Sequence, residues 1–181
     1  MPLSGRRILV GAAGSIAAVK TPEIVRLLVD KECKVQCLLT SGAKEFVAPL
    51  ALATFSGNPV IDDIFGPAAY KLPHIVHAEQ ADLMIVAPTT AGLLARFATG
   101  MTDDIVSLCY ITTKAPVLVA PAMHPTMWEH PATQANVKLL RERGVHFIGP
   151  YVGPLADKTR GEGRMSEPDE IVKAAEKILK K

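Results

Sequence analysis

One pattern constrains this chain more than any other, and it occurs three times: a short apolar run that stops at a glycine, a proline or a small hydroxyl residue. Ile8-Leu-Val-Gly-Ala12 stops before Gly14-Ser15, Asp82-Leu-Met-Ile-Val-Ala87 before Pro88-Thr89-Thr90, and Pro116-Val-Leu-Val-Ala120 before Pro121. Apolar runs of this length read as strands covered on both faces, which is the habit of parallel sheets. Residues 34–40 add a further strand and 145–149 a last one, with 58–65 a weaker strand or turn. Helical spacing of apolar positions fills 15–30, 41–55 and 91–98, with Ser41 as the expected N-cap, and Pro168 is suited to the first turn of a terminal helix. Strands alternating with helices predict an α/β fold, a three-layer doubly wound parallel sheet with right-handed crossovers.

At 181 residues and 49% hydrophobic, the chain is expected to form one domain, 1–181, that buries roughly 70% of its unfolded surface. Net charge is +2 with the two signs interspersed, so nothing points to nucleic acid or to a membrane surface. The three cysteines, Cys33, Cys37 and Cys109, sit in apolar segments without metal-type spacing and read as reduced, buried thiols of a cytoplasmic protein. Residues 66–73 form a polar linker, 150–166 are rich in glycine and charge, and the lysine-rich last turn is expected to fray.

The strand exits carry the chemistry. Gly14-Ser15, Thr40-Ser41 and Thr89-Thr90 would together present backbone N–H groups and hydroxyls to an anion, with helix N-termini behind them. Ordinary turn and cap chemistry explains the same residues. If a phosphate binds there, the absence of a full GxGxxG or GxxxxGK[ST] pattern favours a mononucleotide such as FMN over a dinucleotide or triphosphate. The stretch Pro121-Ala-Met-His-Pro-Thr-Met-Trp128, with the only Trp and two of the six Met, suits either a flat ligand or a core plug. His74 and His77 would share a helix face, one of them a candidate general base or substrate anchor if it reaches the crevice. Asp103-Asp104 reads as a helix-capping pair.

Several of these segments, in order, resemble the homo-oligomeric flavin-containing cysteine decarboxylases, particularly the phosphopantothenoylcysteine decarboxylases of coenzyme A biosynthesis. Residues 121–128 resemble their PxMNxxMW motif and residues 131–137 the helix that follows it. Residues 11–20 resemble the FMN-phosphate turn, 74–82 the HIxLxxxAD segment, 87–93 the PASANT loop and 161–168 the substrate flap, here 150–167. The resemblance implies a flavodoxin-like, Rossmann-type sandwich and a homotrimer or homododecamer with FMN between subunits. It implies that Gly14, Ser15, Ile16, Thr40, Ser41, Thr89, Thr90, Ala122 and Met123 bind FMN. By the same resemblance His74 is catalytic, and His124, Met127, Asp157, Arg164 and Met165 face the substrate, a small thiol or carboxylate.

The departures fall on the active positions. His124 stands where the motif has its carboxylate-binding Asn, Gly92 and Leu93 replace the Asn and Thr of the PASANT loop, and Asp157 stands where the coenzyme A enzymes have their flap Cys. The expected function is therefore flavin-dependent oxidative decarboxylation of a cysteine-derived or related small carboxylate. The alternative is an FMN-dependent reductase or electron-transfer protein that has lost decarboxylation.

Overall fold

The computed structural model describes residues 3–66 and 69–180; residues 67–68 of the expected linker and the last residue of the fraying turn lie outside them. The elements run β1 (Arg7–Ala12), α1 (Thr21–Asp30), β2 (Lys34–Leu39), α2 (Ser41–Lys44), α3 (Pro49–Ser56), α4 (Pro73–Gln80), β3 (Leu83–Thr89) and α5 (Ala91–Thr99). They continue with α6 (Ile105–Thr112), β4 (Val117–Pro121), α7 (Pro125–Glu129), α8 (Pro131–Glu142), β5 (His146–Phe147), β6 (Tyr151–Pro154), β7 (Arg160–Arg164) and α9 (Pro168–Leu179). Strands β1 to β5 form one parallel sheet in the order β2-β1-β3-β4-β5, and β6 and β7 form a separate antiparallel hairpin. That is the doubly wound sheet expected from the apolar runs, with the flavodoxin-like strand order.

Alternation along each strand feeds two cores. Ile8, Val10 and Ala12 of β1 face a layer containing Ile24, Val25 and Leu28 of α1, Leu52 of α3 and Ile171 and Val172 of α9. Leu9 faces the other layer, with Leu93, Leu94 and Phe97 of α5, Val106 of α6 and Val137 and Leu140 of α8. Gly11 lets α6 approach, because a Cβ there would stand 2.8 Å from Val106 Cγ1. The cysteines lie in these cores. Burial pushes the thiol of Cys33 up to about 11 and those of Cys37 and Cys109 up to about 12, so none is a ready nucleophile.

The structure corrects several expected boundaries. The helix predicted over 41–55 is two helices, because Pro49 keeps Ala48 extended (φ −69°, ψ 131°) and begins α3 afresh. Its cap is Thr40, not Ser41: the Thr40 side chain accepts from Ala43 N, and Ser41 is the first helical residue. The helix predicted over 15–30 opens as a 3-10 turn, Ile16–Lys20, before α1 starts with Pro22 in its first turn. In 58–65 only Ile61 pairs, bridging to Leu38. No helix among the described residues is long and apolar enough to cross a membrane.

Candidate functional site

Strand order reverses between β1 and β3, and in open α/β sheets this switch point is where the carboxyl ends of the strands leave a crevice. The exits of β1, β2 and β3 gather there around a cavity of about 310 Å³ lined by Gly14, Thr40, Ser41, Thr90, Arg96 and Asp104, among others. The turns come close enough to exclude side chains. A Cβ on Gly14 would stand 3.0 Å from the backbone of Gly42, and one on Gly42 3.2 Å from Gly14 Cα, so glycine at both positions lets the two turns pack this closely. At the strand exits the hydroxyls act as caps: Thr40 accepts from Ala43 N (3.2 Å) and Thr90 from Leu93 N (3.3 Å) around this crevice, and Ser15 from Ala17 N (3.3 Å) at the next turn. Each such hydroxyl accepts from the main chain and keeps its O–H free to donate, which is what an anionic oxygen requires.

One cation, Arg96, and two carboxylates, Asp103 and Asp104, line this cavity, a formal charge of −1. Arg96 Nε donates to Asp103 Oδ1 at 2.6 Å and lies 3.7 Å from Asp104 Oδ2, and the Arg96 hydrogen bond holds the Asp103 carboxyl below its usual range. Asp104 caps α6 through Oδ1, which accepts from Val106 N and Ser107 N at 2.9 Å each. The capping expectation thus holds for Asp104, while Asp103 is the partner of Arg96. Asp104 Oδ2 is buried with no hydrogen bond among the described residues, and it faces the Arg96 guanidinium in an ion pair.

A second cavity, about 400 Å³, opens on the other side of the Gly14-Ser15 turn. Its walls are the 3-10 turn (Ser15, Ile16, Val19, Lys20), the exit of β4 (Ala122, Met123, His124) and the hairpin (Leu155, Asp157, Arg164, Met165). The hairpin seats closely on the β4 exit. Met123 N donates to Gly163 O at 3.1 Å, and Gly163 and Gly161 meet Met123 O and Pro125 so tightly that no Cβ fits at either position. Lys20 Nζ and Arg164 both pair with Glu167, Lys20 at 3.0 and 2.8 Å. At the mouth, His124 Nε2 lies 3.3 Å from Asp157 Oδ2. Asp157 Oδ1 accepts from the hydroxyl (2.7 Å) and the amide (3.0 Å) of Thr159, which hold its carboxyl below the usual range.

Of the expected cofactor residues, Gly14, Thr40, Ser41 and Thr90 line the smaller cavity and Ser15, Ile16, Ala122 and Met123 the larger. Thr89 lines neither: it is fully buried and its hydroxyl donates to Val86 O at 2.7 Å. Of the expected substrate residues, His124, Asp157, Arg164 and Met165 meet in the larger cavity. Met127 is exposed and outside both cavities, and His74, half-buried on α4, lines neither. The 121–128 stretch divides its labour, with Met123 and His124 at the cavity and Trp128 packed into the core beneath α8. Sequence reasoning passed over Lys20 and Arg96 as site residues. Lys20 sits within the phosphate-turn stretch, and Arg96 was the one cation of a helix that starts at a strand exit.

The residues present fit a flavin mononucleotide. Free O–H donors face the crevice, glycine at 14 and 42 brings main chain to its wall, and an apolar wall of Ile16, Val19, Leu155 and Met165 adjoins it.

Comparison with known proteins agrees with this geometry. Residues 2–180 match the family described as Flavoprotein. The coenzyme A biosynthesis bifunctional protein CoaBC of Escherichia coli (strain K12) is 46% identical over 176 residues, 97% of this chain and 43% of that protein. The CoaBC of Haemophilus influenzae is 44% identical over 175 residues, 96% of this chain and 44% of that one. The chain thus spans less than half the length of these relatives. A mutant PPC decarboxylase complexed with pantothenoylaminoethenethiol superposes with a TM-score of 0.84 at 26% identity, covering 98% of this chain and 100% of that chain. The FMN-dependent cysteine decarboxylase SpaF does so with a TM-score of 0.80 at 27% identity, covering 98% and 97%. By family match, relatives and fold together, this chain belongs to the Flavoprotein family, and its fold is similar to that of cysteine decarboxylases.

Proposed function

We propose that this chain binds FMN and decarboxylates a cysteine-derived carboxylate, with phosphopantothenoylcysteine as the first substrate to test. The observation that carries the reading is the pairing of a hydroxyl-lined crevice at the sheet's switch point with an apolar, imidazole-bearing cavity on the other side of Gly14-Ser15. FMN, when bound, supplies the hydride acceptor that makes loss of carbon dioxide from a cysteine feasible. The chain's own residues hold and orient. Ser15, Thr40 and Thr90 donate to the phosphate, with Gly14, Ile16 and Ser41 shaping its turn, and Ala122 and Met123 lie along the ring. His124 and Arg164 face the substrate carboxylate, and Leu155 and Met165 keep water out.

His74 and Met127 lie outside both cavities of a single chain, so their roles require a neighbouring copy. A homotrimer with FMN at its interfaces, or a dodecamer of such trimers, would supply one, and exposed Leu50, Phe55, Tyr70 and Val76 offer apolar surface for it. A cytoplasmic location belongs to the same reading. Asp157 in the flap, with all three thiols buried elsewhere, favours release of an enethiol product over its reduction.

The test is anaerobic mixing of the FMN-loaded protein with phosphopantothenoylcysteine. Bleaching of the flavin absorbance with release of carbon dioxide is expected, and His74→Asn should abolish both. If neither bleaching nor carbon dioxide appears with the unaltered protein, the reading fails for this substrate.

A further inference from the structure

The amino ends of β1 and β2, opposite the strand exits, border a third cavity of about 200 Å³, lined by Arg7, Lys34, Gln36, Asn58, His77 and Gln80, among others. Arg7 and Lys34 are register partners in the parallel ladder, as are Leu9 and Gln36 two residues on, and all four line the cavity on the face toward α4. Neighbouring strands run about 4.8 Å apart, so two cations at paired positions repel each other. No carboxylate lines the cavity among the described residues. Asp82, just past α4, is committed elsewhere: it accepts from Arg6 Nη1 and from the amide of Arg7, at 2.8 Å each.

The rest of the wall is held in place. Arg7 Nη1 donates to Gln80 Oε1, which fixes the guanidinium and leaves its other N–H groups to donate. Gln36 Nε2 donates to Pro59 O at 2.8 Å and Asn58 Nδ2 to Val35 O at 2.9 Å. His77, half-buried on α4, stands where the HIxLxxxAD pattern has its Leu. Burial and then the charge of Arg7 hold it below its ordinary value of 6.5, so at neutral pH it brings an N–H donor without a third charge.

We propose that this cavity is a phosphate site, in which Arg7, Lys34 and His77 hold a dianionic phosphoryl group at the amino edge of the sheet. Two cations side by side with an adjoining neutral donor match a tetrahedral dianion. Its charge offsets theirs, and its oxygens accept from the guanidinium, the ammonium and the imidazole. The volume admits a phosphate or the head of a phosphate monoester, whereas pockets that enclose larger ligands start at about 300 Å³. The length of β1, roughly 17 Å, separates this site from the Gly14-Ser15 turn, so it is distinct from the strand-exit crevice.

The test uses the FMN-loaded protein, whose strand-exit crevice is occupied, and inorganic phosphate exchanged for chloride at constant ionic strength. Affinity is read by calorimetry and location by NMR: the ring signal of His77, one of five histidines, is assigned by its loss in His77→Leu. In the unaltered protein that signal should shift saturably at millimolar phosphate. Lys34→Gln and Arg7→Gln should each bind phosphate about 3- to 10-fold more weakly, a loss moderated by the exposure of both charges. Thermal unfolding adds a sign that a merely structural Lys34 would not give. Without phosphate, Lys34→Gln should unfold no earlier than the unaltered protein, because the repulsion is gone, and with phosphate the unaltered protein should be the more stable. Glycerol 3-phosphate, titrated in parallel, distinguishes the source: equal or tighter binding points to phosphate carried on an ester, weaker binding to free phosphate, and either order supports the site. A His77 signal that stays fixed in both compounds overturns the proposal, as does equal phosphate affinity in the unaltered protein, Lys34→Gln and Arg7→Gln.

Discussion

Around the smaller cavity the contacts come from main chain, from hydroxyls held in helix caps and from the Arg96–Asp103–Asp104 cluster, whereas around the mouth of the larger one they come from long or charged side chains on a turn and a hairpin. The first arrangement follows from the sheet itself, because Gly14, Thr40 and Thr90 are the points where β1, β2 and β3 end. The second depends on one hairpin seated on one strand exit through Gly161, Gly163 and the His124–Asp157 pair. A cofactor seat made of backbone tolerates little change. A substrate seat made of side chains can be rewritten two residues at a time, and the departures at His124 and Asp157 sit there, while the departure at Leu93 lines the smaller cavity.

The comparison breaks most sharply at the glycines. Gly14→Val places a branched side chain against the backbone of Gly42, and overpacking of this kind costs about 1–3 kcal/mol. FMN affinity should fall by about 10- to 100-fold, measured by quenching of flavin fluorescence. Gly163→Ala clashes with Met123 O on the substrate side, so urea denaturation should show a stability loss of about 1–3 kcal/mol. FMN affinity there should fall by about 3-fold, less than 1 kcal/mol, because Met123 along the ring is displaced while the crevice at Gly14 is untouched. Equal loss of FMN in both variants would erase the distinction between the cavities.

Next in size is Thr90→Ala, which removes the cap of α5 at a cost of about 1 kcal/mol and also removes a donor from the crevice. Thermal unfolding should show that loss without FMN and a larger one with it. A variant equally destabilised in both states would leave the Thr90 hydroxyl a cap and nothing more.

The smallest effect concerns Glu167, whose carboxyl is held below its ordinary value of 4.5 first by the Lys20 hydrogen bond and then, against some desolvation, by Arg164. A carboxyl with a lowered folded pKa stabilises the native state above its unfolded value and loses that contribution as pH falls through the folded one. Glu167 is 39% exposed, so solvent screening limits the effect to less than about 1 kcal/mol. Urea denaturation should find Glu167→Gln less stable than the unaltered protein near neutral pH, with the difference closing below about pH 4.5.

Legibility in the sequence followed the same division. The strands, their exits and the hydroxyls at those exits can be read from apolar runs and turn residues, because strand burial and helix capping are local physics. Which hydroxyl faces the crevice cannot: Thr40 caps where Ser41 was expected, and Thr89 turns inward to Val86 while its neighbour Thr90 faces out. Trp128 looked like ligand wall or core with equal justification, and only packing under α8 decides for core. The His124–Asp157 contact is invisible to any periodicity, since it depends on how a glycine-rich hairpin folds back onto a strand exit.

The central claim, that the crevice at the strand exits and the substrate-facing side chains are separable, is tested most directly by restoring the family pattern at the two substrate-facing departures, His124→Asn with Asp157→Cys. FMN binding and anaerobic bleaching by phosphopantothenoylcysteine would be measured on the same preparation. The account predicts an FMN dissociation constant within about 2-fold of the unaltered protein, a difference of less than about 0.5 kcal/mol, and a bleaching rate changed by about 10-fold or more. Loss of FMN affinity in step with the change in bleaching would contradict it.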